Sequence, residues 1–166
     1  MRITEYNKTR PDEEEGIRYK DDDQRFEEQY TLKLKTTTEY RITLEIEPIQ
    51  HVSYVKMGGR KTDDESLILV NQTGERRTLS FFWSTKGIRP TQRAYRYIYP
   101  CAVKFRMYSE LKFNLQMKVY SRKNVASYNT GRIFSHLYLD CKVGVGPKNY
   151  TYLKSAEYHA ETVNSN

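Results

Sequence analysis

The 166-residue sequence is poor in the side chains that usually carry chemistry: it has two cysteines, Cys101 and Cys141, and three histidines, His51, His136 and His159. Their spacing makes no zinc or redox motif, so the expectation is two free thiols and no metal. An HExxH helix, a G-x-S-x-G elbow, a Walker loop and a GxGxxG turn are all missing. VGVGP, Val143 to Pro147, is not followed by the helix that phosphate binding uses. No apolar run approaches a membrane span and Met1–Thr4 opens no secretory signal, which makes the cytosol the expected compartment. With no base placed beside a nucleophile, neither an enzyme nor a cofactor is expected.

Charge is abundant but uneven. Residues 1–28 hold 6 basic and 10 acidic side chains, whereas residues 29–166 hold 22 basic and 11 acidic. An acidic leader thus precedes a basic body, and such a body attracts acidic peptides, anionic lipid or nucleic acid.

From Tyr30 onward the pattern repeats every two residues. Leu32 and Leu34 alternate with Lys33 and Lys35. Tyr40, Ile42, Leu44 and Ile46 alternate with Arg41, Thr43, Glu45 and Glu47 up to Pro48. In ELKFNLQMKVY, a strand puts Leu111, Phe113, Leu115, Met117 and Val119 on one face, whereas a helix would scatter them. Further strands are expected at Gly16–Lys20, Val52–Met57, Ser66–Val70, Arg77–Trp83, Tyr95–Tyr99, Ala102–Tyr108, Ile133–Val143 and Tyr150–Lys154, separated by Gly-, Asn- and Asp-rich turns. The fold class is all-β: a single antiparallel β-barrel or sandwich of about nine to ten strands. The domain spans 15–155; the leader, 1–14, and the tail, 156–166, lack pattern and are expected to be flexible.

Three constellations stand out. Asp21, Asp22 and Asp23 form a run, but consecutive strand residues diverge and no EF-hand spacing surrounds them, so a turn is expected. Lys33, Lys35, Arg41, Lys112 and Lys118 occupy the register opposite the apolar face; with Arg76 and Arg77 they make the candidate surface for an acidic partner. The tract RAYRYIYP, Arg93 to Pro100, offers aromatic faces that a single-stranded nucleic acid could stack on, although tyrosine is equally a strand former. On the inner face, Leu44, Ile46, Trp83, Phe105, Met107, Phe113, Leu115 and Met117 either fill a core or line a slot for lipid or apolar peptide.

The run YKDDDQRFEEQYTLKLKTTTEYRITLEIEP resembles the signature of the cannabinoid receptor-interacting proteins, at Tyr19, Lys20, Asp22, Gln24, Arg25, Phe26, Lys33, Leu34, Thr36, Tyr40, Ile46 and Pro48. The likeness continues in order through Gly58-Gly59, the Thr85–Thr91 turn, Gln116, Lys118, Tyr120, Gly131, Phe134 and Cys141-Lys142. Asp23 stands where the family has glycine, and the chain after Lys142 shares little with it. The resemblance implies a barrel-like fold similar to the lipid carriers of the Rho-dissociation-inhibitor class. It also implies a non-enzymatic cytosolic adaptor that binds the intracellular C-terminal tail of a G-protein-coupled receptor and tunes its signalling. The basic body and the apolar face add the expectation that this tail is acidic or lipidated; a monomer in contact with the inner face of the plasma membrane is expected, and no nucleic acid.

Overall fold

Alternation along the chain makes strands, and their hydrogen bonds sort them into two sheets. A computed structural model describes residues 1–161. In chain order the strands are β1 (Arg2–Glu5), β2 (Glu15–Gly16), β3 (Arg18–Asp21), β4 (Tyr30–Lys35), β5 (Glu39–Ile46), β6 (Val52–Met57) and β7 (Arg60–Asp63). Next come β8 (Ile68–Thr73), β9 (Arg76–Ser84), β10 (Tyr97–Phe105), β11 (Glu110–Tyr120), the single helical turn α1 (Val125–Tyr128), β12 (Arg132–Gly144) and β13 (Tyr150–Ala160). One sheet has the order β2-β1-β5-β9-β8 and the other β13-β12-β3-β4-β11-β10-β6-β7.

The result is a sandwich of five and eight strands, not a closed barrel. β2 has two residues, too few to carry the ladder further, while β7 (RKTD) bears charge on three of its four residues, a pattern that keeps an edge unpaired. The antiparallel expectation needs one correction: β4 runs parallel to β11, with Thr31, Lys33 and Lys35 level with Gln116, Lys118 and Tyr120.

The inner faces are the apolar positions read from the alternation. Tyr40, Ile42, Leu44, Leu79, Phe81 and Trp83 of the smaller sheet pack against Leu32, Leu34, Val55, Met57, Val103, Leu111, Phe113, Leu115 and Met117 of the larger. Burying such side chains stabilises by about 1.5–3 kcal/mol each. Tyr97–Phe105 is one strand, where two, Tyr95–Tyr99 and Ala102–Tyr108, are expected from the sequence. Pairing of β6 with β10 stops at Met57–Cys101, so Pro100 lies where no ladder donor is needed on that side, and its carbonyl accepts from Gly58 N–H.

The leader differs from its expectation. β1 pairs along β5, Met1 O accepts from Leu137 N–H at 2.7 Å, and Ile3 and Thr4 are buried. A four-residue strand with two buried positions is too short to show a period, so the order comes from its neighbours. Of the expected tail, residues 156–160 continue β13, and 162–166 lie outside the described residues.

Candidate functional site: a cationic face around Asp22

Register sets which outward side chains share a row on the larger sheet. Arg18 lies opposite Lys33, and Lys33 opposite Lys118, so adjacent strands β3, β4 and β11 present three cations abreast. The next row is Lys20, Thr31 and Gln116. Two segments fold over these rows: the Asp22–Gln29 loop after β3, and the stretch from Ser121 to Gly131 that contains α1.

Asp22 is the anchor of the first segment, and its side chain is 1% exposed. Arg96, itself 8% exposed, donates from Nε to Oδ2 at 2.9 Å and from Nη2 to Oδ1 at 3.3 Å. Thr31 Oγ1 donates to Oδ2 at 2.5 Å, and Lys20 Nζ lies 3.2 Å from Oδ1. Burial is the largest single influence and pushes the carboxyl up, but the combined bonds from Arg96, Thr31 and Lys20 outweigh it and hold the acid down at about 2. Gln116, fully buried, clamps the same loop: its Oε1 accepts from Glu28 N–H at 3.1 Å and its Nε2 donates to Glu28 O and Thr31 Oγ1 at 2.8 Å. The Arg96 guanidinium lies 4.3 Å from the Phe26 ring centroid, a cation–π contact that closes the loop.

The aspartates therefore form the turn that the run suggests. Asp23 has φ +52°, the left-handed region, and its N–H bonds to Asp21 Oδ1. Asp21 points to Gln29 while Asp22 points inward, so the three carboxylates do not converge. Among the described residues no group of three or more His, Cys, Asp or Glu is placed to hold a metal.

Lys33 faces outward as the alternation requires, yet it is buried, because α1 and the turn before β12 cover it. Its ammonium donates to Ser127 O at 2.8 Å and to both Thr130 O and Thr130 Oγ1 at 2.6 Å. Desolvation, followed by repulsion from Lys20, Lys118 and Arg18, brings its pKa down to about 8. Tyr120 lies between two ammonium groups, Lys33 at 5.5 Å and Lys118 at 5.4 Å. Lys118, half-buried, donates to Arg93 O, and its pKa is lowered by desolvation and then by Arg96, Lys20 and Arg93. Asp22 is thus shared among many cations, and the face keeps excess positive charge that can hold a carboxylate or phosphate.

The seven basic residues singled out in sequence do not form one surface. Lys33 and Lys118 adjoin, but Lys33 is spent internally. Lys35 pairs with Glu5 at 2.8 Å and Glu15 at 3.6 Å, and Arg41 with Glu14 at 2.5 Å, so the leader's acids neutralise them. Arg76 binds Glu45 and Glu47, and Arg77 lies 3.2 Å from His51 Nδ1, on the smaller sheet. Lys112 stands apart, 77% exposed. Arg96, Thr31 and Gln116 were not visible as site residues: each acts through partners 9 to 88 positions away. The Arg93–Pro100 tract contributed Arg96 through its charge rather than through aromatic stacking.

Of the eight residues offered as core or slot, Leu44, Trp83, Phe113, Leu115 and Met117 are buried in one close-packed cluster, with Ile46 and Phe105 packed against it. Met107 is a correction: it is 64% exposed, because β10 ends at Phe105 and Met107 stands in the turn beyond. Two surface concavities, one beside Lys35 and Arg122 and one beside Asp23 and Phe26, are lined by none of the eight. Both thiols are free, and burial pushes Cys101 up to about 12.

The sequence model of the family described as CB1 cannabinoid receptor-interacting protein 1 matches residues 4–155. A comparison with curated proteins finds no match.

Proposed function

The chain belongs to the CB1 cannabinoid receptor-interacting protein 1 family, and from that premise we propose that it is a non-enzymatic cytosolic adaptor that holds the acidic C-terminal tail of a G-protein-coupled receptor against the face of β3, β4 and β11, and so tunes the receptor's signalling. The observation that carries this reading is the set of cations left accessible around the buried Lys33, namely Arg18, Lys118, Lys20 and Arg93, beside an Asp22 whose carboxylate is already committed to Arg96, Thr31 and Lys20. A tail carboxylate or phosphate laid beside Lys118, Arg93 and Lys20 supplies the missing negative charge. Such complementarity governs encounter and register more than affinity. Docking on this outer face leaves the packed core closed; a lipidated tail entering the sandwich would have to part Phe113, Leu115 and Met117. The adaptor works as a monomer at the inner face of the plasma membrane.

Fluorescence anisotropy with a labelled receptor-tail peptide tests this. The expected result is binding that weakens with salt and falls roughly 3- to 10-fold in Lys118→Glu, the size of one partly exposed charge contact, and more in Lys118→Glu with Arg93→Glu. Arg76→Glu on the other sheet should leave it unchanged. Equal loss in all three variants would refute the assigned face, and failure of acidic tail peptides to bind would refute the adaptor reading.

A further inference from the structure

Away from the Asp22 face, two turns stand side by side at one end of the sandwich: Arg106–Ser109, between β10 and β11, and Val145–Asn149, between β12 and β13. Ser109 N–H donates to Asn149 O at 3.0 Å, and Thr151 N–H donates to Ser109 Oγ at 2.8 Å, so the turns hold each other. Lys104 Nζ bonds Tyr108 O and braces the first turn. The turns carry uncovered apolar side chains, Val145 at 88% exposed and Met107 at 64%, and Val143, at the end of β12 beside them, is 48% exposed. Behind them Tyr150 and Tyr152 stack, with centroids 6.2 Å apart at 14°. Tyr150 lies across Gly144, where a Cβ would meet its Cζ at 2.0 Å, which fixes the ring along the hairpin.

The acids nearest the turns in sequence are engaged: Glu110 with Tyr54 and Lys56, and Asp140 with Lys154. Arg106, Lys142 and Lys148 flank the tips and are exposed.

We propose that this paired-turn end is a docking surface for an anionic lipid bilayer, with Met107, Val143 and Val145 entering the headgroup layer. Exposed aliphatic tips on convex turns gain nothing in water and gain by burial in an interface, whereas basic residues around them pair with anionic headgroups. Tyrosines at headgroup depth are the usual belt of such an interface. An acidic peptide would use the basic ring but not the convex aliphatic tips. A nucleic acid would need open aromatic faces, whereas Tyr150 rests on Gly144 and against Tyr152. The docking would orient the chain at a membrane without any transmembrane segment, and it does not rest on receptor binding.

Co-sedimentation of the full chain with vesicles of phosphatidylcholine, with and without phosphatidylserine, tests the proposal in the absence of receptor. Binding is expected only with phosphatidylserine, and it should fall on the order of tenfold in Val145→Asp, in Met107→Asp and in Lys148→Glu, with unchanged thermal unfolding because all three side chains are solvated. No binding to phosphatidylserine vesicles overturns the proposal. So does salt-sensitive binding that Val145→Asp and Met107→Asp leave intact, since net charge alone would then explain it. Tight binding of a single-stranded RNA that these substitutions abolish would reassign the surface and also overturn it. Failure here leaves tail-peptide binding, measured in solution without lipid, untouched.

Discussion

Asp22→Asn strips one charge from the most enclosed ion pair of the cationic face. The carboxylate is 1% exposed and its partner Arg96 8%, so no solvent screening softens the loss. Two routes bound its size. Lowering the acid from its ordinary 3.8 to about 2, at about 1.4 kcal/mol for each pH unit, corresponds to ~2 kcal/mol of folding stability. Because the folded acid is the stronger one, that contribution is present above about pH 4 and is lost as pH falls toward about 2. Asparagine costs more than this, since it leaves the Arg96 guanidinium enclosed without a counter-charge; breaking one side of a buried pair costs about 3–5 kcal/mol. Against a total of about 5–15 kcal/mol that is a large fraction. Urea unfolding at neutral pH should show the midpoint lowered by more than about 1 M. Replacing both partners, Asp22→Asn with Arg96→Met, should recover much of the loss because the orphaned charge is gone. A single-variant cost below about 1 kcal/mol, or a double variant no better than the single, would refute the view that the Asp22–Arg96 contact is the main ion pair holding the loop.

Other consequences are as direct. Lys33, brought down to about 8, binds fewer protons folded than unfolded, so its burden on stability should ease between about pH 8 and 10; the wild-type advantage over Lys33→Met should grow by up to ~3 kcal/mol across that window, followed by chemical denaturation. Thr85 is fully buried, its Oγ1 accepts from Thr38 N–H and donates to Lys35 O, and Thr85→Val should cost about 1–3 kcal/mol, lowering Tm by several degrees in calorimetry. Asp23→Gly relieves a left-handed φ of +52° and should be neutral to ~1 kcal/mol stabilising with tail-peptide affinity unchanged; a large loss of binding with the fold intact would make Asp23 a contact residue.

The alternating strands were legible because a two-residue period records which side faces the core. Leu32 and Leu34, the Tyr40–Leu44 series and Leu111–Val119 all lie where the period puts them. The period does not record what covers the other side. Lys33 reads as a solvated residue until Ser127 and Thr130 close over it, and Gln116 reads as an exposed glutamine until the Asp22–Gln29 loop folds onto it. Arg96 is 74 positions from Asp22, and no local signal joins them. The leader was legible in charge but not in structure. Its acids at Glu5, Glu14 and Glu15 neutralise Lys35 and Arg41, which is why the basic strands do not add up to one broad cationic surface. The family signature makes sense in these terms: Lys20, Lys33, Gln116, Lys118 and Tyr120 belong to the rows of β3, β4 and β11, and Asp22 and Phe26 to the loop that folds over them.

The reading to be tested is that the tail docks beside the accessible cations at the margin of those rows, Lys20, Arg93 and Lys118. Titrating an acidic receptor-tail peptide into the isotopically labelled chain and following backbone amide shifts measures this residue by residue. Shifts are expected at Arg18–Lys20, Arg93–Arg96 and Lys118–Tyr120, and their absence in Lys118→Glu with Arg93→Glu. Shifts concentrated instead along the exposed strand Ile68–Thr73, with the β3–β4–β11 face silent, would contradict it.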